Sequence, residues 1–253
     1  LVENGTFYMD KNATHWVEDW QMINKPNFNT CFEREEIKEF VSDTVSEFVY
    51  KKSGNGSLNI GEQQYSVYDF GQIVAGFFAF KLDVLEDAEV YLSWSEMAKE
   101  QNGTLNVDFS RGTCCDIIKY TLKKGQYNLL SFEPYCAMFA KISCLTGKIV
   151  VKDFYITSIK NVNHRKAKFN CENKKLETIF TAAQNTLAHN SVDVLSDCPG
   201  RERAGWLCDS YFIAKAEKLL FGENKVERNF LENYIIATDF RGKYPKNIIP
   251  MCY

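Results

Sequence analysis

No apolar run in this 253-residue chain approaches the ~20 residues needed to cross a bilayer. The longest, Ile73 to Phe80, has the length of a strand. Membrane insertion is therefore not expected. The chain begins at Leu1 rather than Met, and no targeting segment is visible in it. Basic runs and basic stripes are missing as well. With 30 basic and 33 acidic residues the net charge is −3. Phosphate binding needs concentrated Lys and Arg, so nucleic acid is not an expected partner. No Gly-rich phosphate loop occurs. The histidines are only His15, His164 and His189, far apart in sequence. Surface and capping roles suit all three, and His189 falls near a helix end, where it can meet the C-terminal dipole.

The nine cysteines contain no C-x-x-C pair, which argues against a zinc ribbon or a thioredoxin-like site. Their number is odd, so at least one is unpaired within the chain. Reduced, mostly buried thiols are the plain reading. It leans toward a reducing compartment and leaves periplasm or secretion open. Cys198 and Cys208 bracket one loop at a spacing that fits no common zinc pattern, and they read as small packing residues. No metal or cofactor is expected. Sequons begin at Asn4, Asn12, Asn55 and Asn102 and matter only in a host that glycosylates.

What is present is an ordinary globular composition, 45% hydrophobic and 25% charged. A chain of this length builds a large core without staples, as one large domain or two of ordinary size.

Its period changes near residue 165. Before that point apolar residues alternate: Phe78, Phe80, Leu82 and Val84 against Ala79, Lys81 and Asp83, and Val90, Leu92 and Trp94 against Tyr91 and Ser93. Ile149, Val151, Asp153 and Tyr155 continue the pattern less cleanly. Such alternation puts one face of a strand in a core. Gly54-Asn55-Gly56, Asn102-Gly103, Arg111-Gly112 and Lys124-Gly125 punctuate the runs. The expectation is an antiparallel β-sandwich over residues 61–165. Residues 1–60 stay unassigned, with Glu35 to Phe48 helix or strand.

After residue 165 the spacing becomes helical, and residues 166–253 read as the start of a helical domain. Helix one carries Leu176, Ile179, Phe180, Ala183 and Leu187 on one face, with Asn173 as N-cap. Helix two starts near Asp209 or Ser210 and stops at Gly222. Helix three runs from Lys225 to Ala237, with Val226, Phe230, Tyr234 and Ala237 on one face. Helices one and two are joined by a long loop, from about Ser191 to Cys208, and long loops in compact domains are often functional.

That loop holds Asp197, Glu202 and Asp209 with Arg201, Arg203 and Trp206 among them. Three readings are open for such a stretch. It is a solvated surface, an Arg–carboxylate network stapling helices, or a catalytic loop. Asp209 also suits a helix cap. Glycoside hydrolysis needs two carboxyl groups, one of which keeps its proton until it is given to the leaving oxygen. Neighbouring carboxylates such as Asp197 and Asp209 favour that state in Glu202. Arg201 and Arg203 oppose it wherever they point at Glu202, so at least one is expected to point elsewhere. An indole offers a flat apolar face to a sugar ring.

The run Asp197-Cys198-Pro199-Gly200-Arg201-Glu202-Arg203-Ala204-Gly205-Trp206-Leu207-Cys208-Asp209 closely resembles the signature of the bacterial α-L-rhamnosidases, an inverting glycoside hydrolase family. Every fixed position of Asp-Cys-Pro-x-Arg-Glu-Arg-x-Gly-Trp-x-x-Asp matches. Gly200 stands where the family more often has Ser or Gln. Tyr68-Asp69-Phe70-Gly71, Val74-Ala75-Gly76-Phe77, Tyr120-Thr121-Leu122 and Phe132-Glu133-Pro134-Tyr135 resemble strands of the family's β-sandwich domain. The resemblance implies that Glu202 is the general acid and that Asp197 and Asp209 hold rhamnose hydroxyls. It implies weaker pocket-shaping roles for Arg201 and Trp206. It also implies a carbohydrate partner, an L-rhamnoside, and the first helices of an (α/α)6 toroid, with the general base beyond residue 253. The other functions weighed are a non-catalytic carbohydrate-binding or scaffold module and another glycosidase on the same toroid.

Overall fold

A computed structural model describes residues 1–9, 48–101, 103–107, 110–111, 114–162 and 167–236. Residues 35–47, His15, His164, the sequons at Asn12 and Asn102, Gly112 and the expected helix end at Ala237 lie outside the described residues. The chain divides into two compact units. The first comprises Leu1–Val74, Phe78–Phe132 and Cys136–Ile156, and the second Ala75–Phe77, Glu133–Tyr135 and Thr157–Tyr253.

The first unit is built on an antiparallel sheet. Strands β1 (Glu3–Met9), β2 (Phe48–Gly54), β3 (Asn59–Gly61), β4 (Gln64–Ser95) and β11 (Tyr135–Ser158) follow the order β2-β1-β4-β11-β3. Strands β9 (Ile117–Leu122) and β10 (Gly125–Leu130) pair with β4, setting Tyr120 opposite Val90 and Tyr127 opposite Leu82. Two small ribbons complete it: β5 (Lys99–Gln101) with β6 (Thr104–Asn106), and β7 (Ser110–Arg111) with β8 (Cys114–Cys115). An antiparallel sheet was expected, but not only as short strands: β4 runs for 32 residues and β11 for 24.

Phe78, Phe80, Leu82 and Val84 are all buried and Lys81 is exposed, as alternation requires, but Ala79 is buried as well and Asp83 half-buried. In the next run Tyr91 and Ser93 are buried along with Val90, Leu92 and Trp94, so β4 is covered on both faces there. On β11 the inward set shifts by one position after Val151. Asp153 and Tyr155 face outward, and Phe154 turns in among Tyr68, Phe70, Phe78 and Phe80. The reason is electrostatic. Lys152 pairs with Asp83 at 2.6 Å and Asp153 with Lys81 at 2.9 Å, which keeps two consecutive residues on the wet side.

A second cluster in this unit joins Phe7, Tyr65, Val67 and Val107. Beside it lie two fully buried charged side chains, Glu3 and Lys141. The Tyr65 hydroxyl donates to Glu3 Oε1 at 2.6 Å, and the Leu105 N–H donates to Glu3 Oε2 at 2.9 Å. The Lys141 ammonium sits 5.0 Å from the Tyr65 ring centroid. Burial pulls its pKa down to about 8, against the pull of Glu3.

The second unit carries helices α1 (Lys174–Asn190), α2 (Leu207–Phe221) and α3 (Lys225–Ile236). Asn173 caps α1 by accepting the Lys175 N–H, and Gly222 ends α2 in the left-handed region at φ 74°. The expected apolar face of α1 is not its buried face. Leu176 and Ile179 are exposed, and Gln184, Leu187 and Ala188 are buried. The cause is what this helix packs on. Gln184 Nε2 donates to the Ala167 carbonyl at 2.8 Å, and His189 Nδ1 lies 2.8 Å from the Ile159 carbonyl oxygen, so the covered side faces the incoming chain. Leu187 and Ala188 meet Phe221 of α2. Buried Glu217 on α2 accepts the Val226 and Glu227 N–H groups and so caps α3. Burial holds its carboxyl above the usual range. Among the described residues no helix is long and apolar enough to cross a membrane.

Candidate active site

The loop between α1 and α2 is fixed at its base before any functional residue appears. Leu195 is fully buried against Ala214, Val226 and Phe230. Ser191 bridges to Leu195, and the Ser196 N–H donates to the Asn190 carbonyl at 2.9 Å. The loop then closes on itself. The Asp197 N–H donates to the Ala204 carbonyl at 3.0 Å, and the Ala204 N–H returns to Asp197 Oδ1 at 2.9 Å. One oxygen of Asp197 therefore holds the loop shut, and the other has no partner among the described residues. Cys198 helps inside this clasp. Its sulfur accepts the Glu202 N–H at 3.2 Å, and its carbonyl accepts the Ser196 hydroxyl at 2.8 Å. The Tyr234 hydroxyl of α3 donates to the Gly205 carbonyl, which fixes the exit.

Glu202 stands on the outer lip of this loop. Its Oε1 accepts from Arg201 Nη2, and its Oε2 accepts from Trp206 Nε1 at 2.7 Å. All three side chains are partly exposed, with Trp206 at 41%. Of the two arginines, one does point away. Arg203 Nη2 donates to Glu133 Oε2 at 2.8 Å and its Nη1 to the Pro134 carbonyl at 2.9 Å, with the guanidinium 5.8 Å from the Tyr135 ring centroid. Arg203 also has a φ of 53°, in the left-handed region. Nothing local to the loop signals this partner, which lies 70 residues upstream in sequence.

Two expectations for the loop's end need correction. Asp209 does not cap α2. The helix starts earlier, at Leu207, with Trp206 in the cap position and no side-chain cap bond. Asp209 sits in the first turn, exposed and without a partner among the described residues, where its charge favours the helix dipole. The first helical bond runs from the Ser210 N–H to the Trp206 carbonyl at 2.9 Å, so the helix has already begun before Asp209 and leaves the cap position to Trp206. Cys208 is exposed on that same turn, whereas Cys198 is half-buried inside the clasp; both are free thiols. Asp197, Arg201, Glu202 and Trp206 thus gather on one loop, with Asp209 on the helix that it feeds. Among the described residues no group of three His, Cys, Asp or Glu is placed to hold a metal ion.

Residues 164–252 match the family model of the bacterial alpha-L-rhamnosidase 6 hairpin glycosidase domain. Similar solved structures include a rhamnosidase from Klebsiella oxytoca with rhamnose bound, at 15% identity and TM-score 0.61, covering 74% of this chain and 40% of that one. A rhamnosidase from Bacillus sp. GL1 aligns at 16% identity and TM-score 0.61, over 82% of this chain and 25% of that one. An alpha-L-rhamnosidase from Dictyoglumus thermophilum aligns at 21% identity and TM-score 0.51, over 78% of this chain and 24% of that one. At these identities the likeness is one of fold. The chain spans 40% or less of the length of these structures. No curated protein matches it.

Proposed function

We propose, from a chain whose residues 164–252 belong to the bacterial α-L-rhamnosidase six-hairpin family, that the loop from Asp197 to Asp209 is the proton-donating half of an inverting rhamnoside hydrolase. The observation that carries this reading is the seating of Glu202, a carboxyl group held by an indole and a guanidinium at the lip of a loop with two further carboxylates. In this reading Glu202 gives its proton to the glycosidic oxygen of a terminal α-L-rhamnosyl group. The unpartnered oxygen of Asp197 and the carboxylate of Asp209 accept sugar hydroxyls through charge-assisted hydrogen bonds. Trp206 offers its ring face, and Arg201 closes the pocket. The sugar class follows the Klebsiella oxytoca rhamnosidase, which has rhamnose bound.

Arg201 and Glu202 form an ion pair at the lip of the loop. A part-exposed pair of this kind is worth under about 1 kcal/mol, so an arriving substrate displaces it. Water is activated by a second carboxylate roughly 6.5–9.5 Å from the acid. In this reading that base is a glutamate downstream of Tyr253. The exposed apolar residues Ile179, Phe212, Leu219 and Ile235 are then faces for further helices of an (α/α)6 toroid, and residues 61–165 form the β-sandwich domain before it.

Offered an aryl α-L-rhamnoside, the 253 residues alone are expected to release no aryl alcohol. A protein that carries them together with the downstream helices is expected to release it with inversion at the anomeric carbon. Robust turnover by the 253 residues would sink the divided carboxylate pair. A panel of aryl glycosides checks the sugar class, since preference for another sugar would reassign the pocket. Asp197→Ala removes a hydroxyl acceptor and the loop clasp together, and competition by free rhamnose should weaken about 10-fold or more, the loss of one charge-assisted contact. Unchanged competition would take Asp197 out of the sugar site.

A further inference from the structure

Arg203 is the strained point of the loop. A left-handed backbone suits glycine, and a long side chain there is an outlier that persists only where its surroundings over-determine it. Here the determinants are visible. They are the Glu133 carboxylate, the Pro134 carbonyl and the Tyr135 ring, three consecutive residues that receive one guanidinium. The step at Arg203 also joins two different environments. Glu202 before it lies on the exposed lip, and Ala204 after it is 1% exposed and clasped both ways by Asp197. Glu202 and Trp206, four residues apart, reach each other across that step.

We infer that Arg203 is a positioning residue for Glu202: anchored on residues 133–135, it fixes the left-handed step that aims the candidate acid at Trp206. This rests on the hydrolase reading above. The anchor has a second effect. With its guanidinium occupied by Glu133, Arg203 is kept off Glu202, and of the loop's two arginines only Arg201 bears on the acid. Glu133 thereby acts on the acid without touching it.

The test uses the indole N–H resonances of the 253-residue chain. There are four tryptophans. Trp206 reports its bond to Glu202, and Trp94, buried in the other unit, serves as an internal reference. Glu202→Leu defines the position of the Trp206 signal with the bond broken. Arg203→Met and Glu133→Leu should each move that signal more than halfway toward it, with Trp94 unmoved. Hydrogen exchange at the Ala204 amide should become about tenfold faster as the clasp opens. Arg203→Lys, which keeps a cation, should recover part of the shift. A Trp206 signal that stays in place in both variants overturns the inference. Should either variant fail to fold, Glu133→Gln decides by the same criterion. No substrate enters the measurement, so its outcome is separate from that of the hydrolase reading. A moved indole in a protein that never cleaves a rhamnoside removes only the latter, and an unmoved indole in an active enzyme removes only the former.

Discussion

Glu202→Gln should lower turnover of an alkyl α-L-rhamnoside by about 10²–10⁴-fold, the range that a positioned proton donor contributes. The comparison is made in an active protein that contains this chain. Glutamine keeps the size of glutamate, and its one carbonyl oxygen still accepts from the Trp206 indole or the Arg201 guanidinium. The pocket therefore keeps its shape, and free rhamnose should bind nearly as before. What is lost is the transferable proton. The deficit should shrink as the leaving group becomes more acidic, because a good leaving group departs without protonation. A dinitrophenyl rhamnoside would thus be cleaved far closer to the normal rate than a methyl rhamnoside. Near-normal turnover of the methyl substrate by the variant would overturn the acid assignment. A uniform loss on every substrate would point to a damaged pocket instead.

The stability of Lys141→Met relative to the unaltered protein should fall as pH rises from 8 towards 10.5. The ammonium is buried beside Glu3 and Tyr65, with Lys52 3.7 Å from the same Glu3 oxygen. Burial lowers its pKa from 10.5 to about 8. A depressed folded-state value means that stability is fully present above 10.5 and is lost as pH falls toward 8. Within that window the unfolded chain holds a proton that the folded chain does not, so stability climbs with pH. Across the whole window the change is about 3 kcal/mol. Methionine fills similar space without a charge to desolvate. Glu3 keeps the Tyr65 hydroxyl and the Leu105 N–H as donors in the variant. Urea midpoints for both proteins at pH 7 and pH 10 measure the effect. A difference that stays constant between these two pH values would show that Lys141 does not carry the penalty.

How far the sequence could be read depended on how local each cause was. The caps at Asn173 and Gly222 involve neighbours within a turn, and both are as read. The alternation at Phe78, Phe80, Leu82 and Val84 places these four side chains inside, and they are buried, although Ala79 between them is covered as well. It fails after Val151 because Lys152 and Asp153 find partners on β4, a pairing that only the sheet register creates. The α1 face failed for a related reason. Leu176 and Ile179 have the right spacing, but a helix buries what its neighbours cover, and here these are the segment before it and Phe221. In the loop the cluster of acids and the indole is legible because it is contiguous. The Arg203–Glu133 contact is not, since loop and partner are separated by all of β11 and all of α1.

The length of β4 has a cost during synthesis. Of its neighbours only β1 precedes it; β9, β10 and β11 are all made later. At about 5–20 residues per second, several seconds separate the emergence of Ser95 from that of Ser158. Until β9 and β10 follow, and longer on the side that β11 covers, a 32-residue strand rich in Phe, Val and Leu waits on the ribosome with most of its pairing groups unmet. Such an edge is a template for other nascent chains. The yield of soluble protein should accordingly depend on chaperones that shield extended apolar segments, and on the rate of translation between β4 and β11.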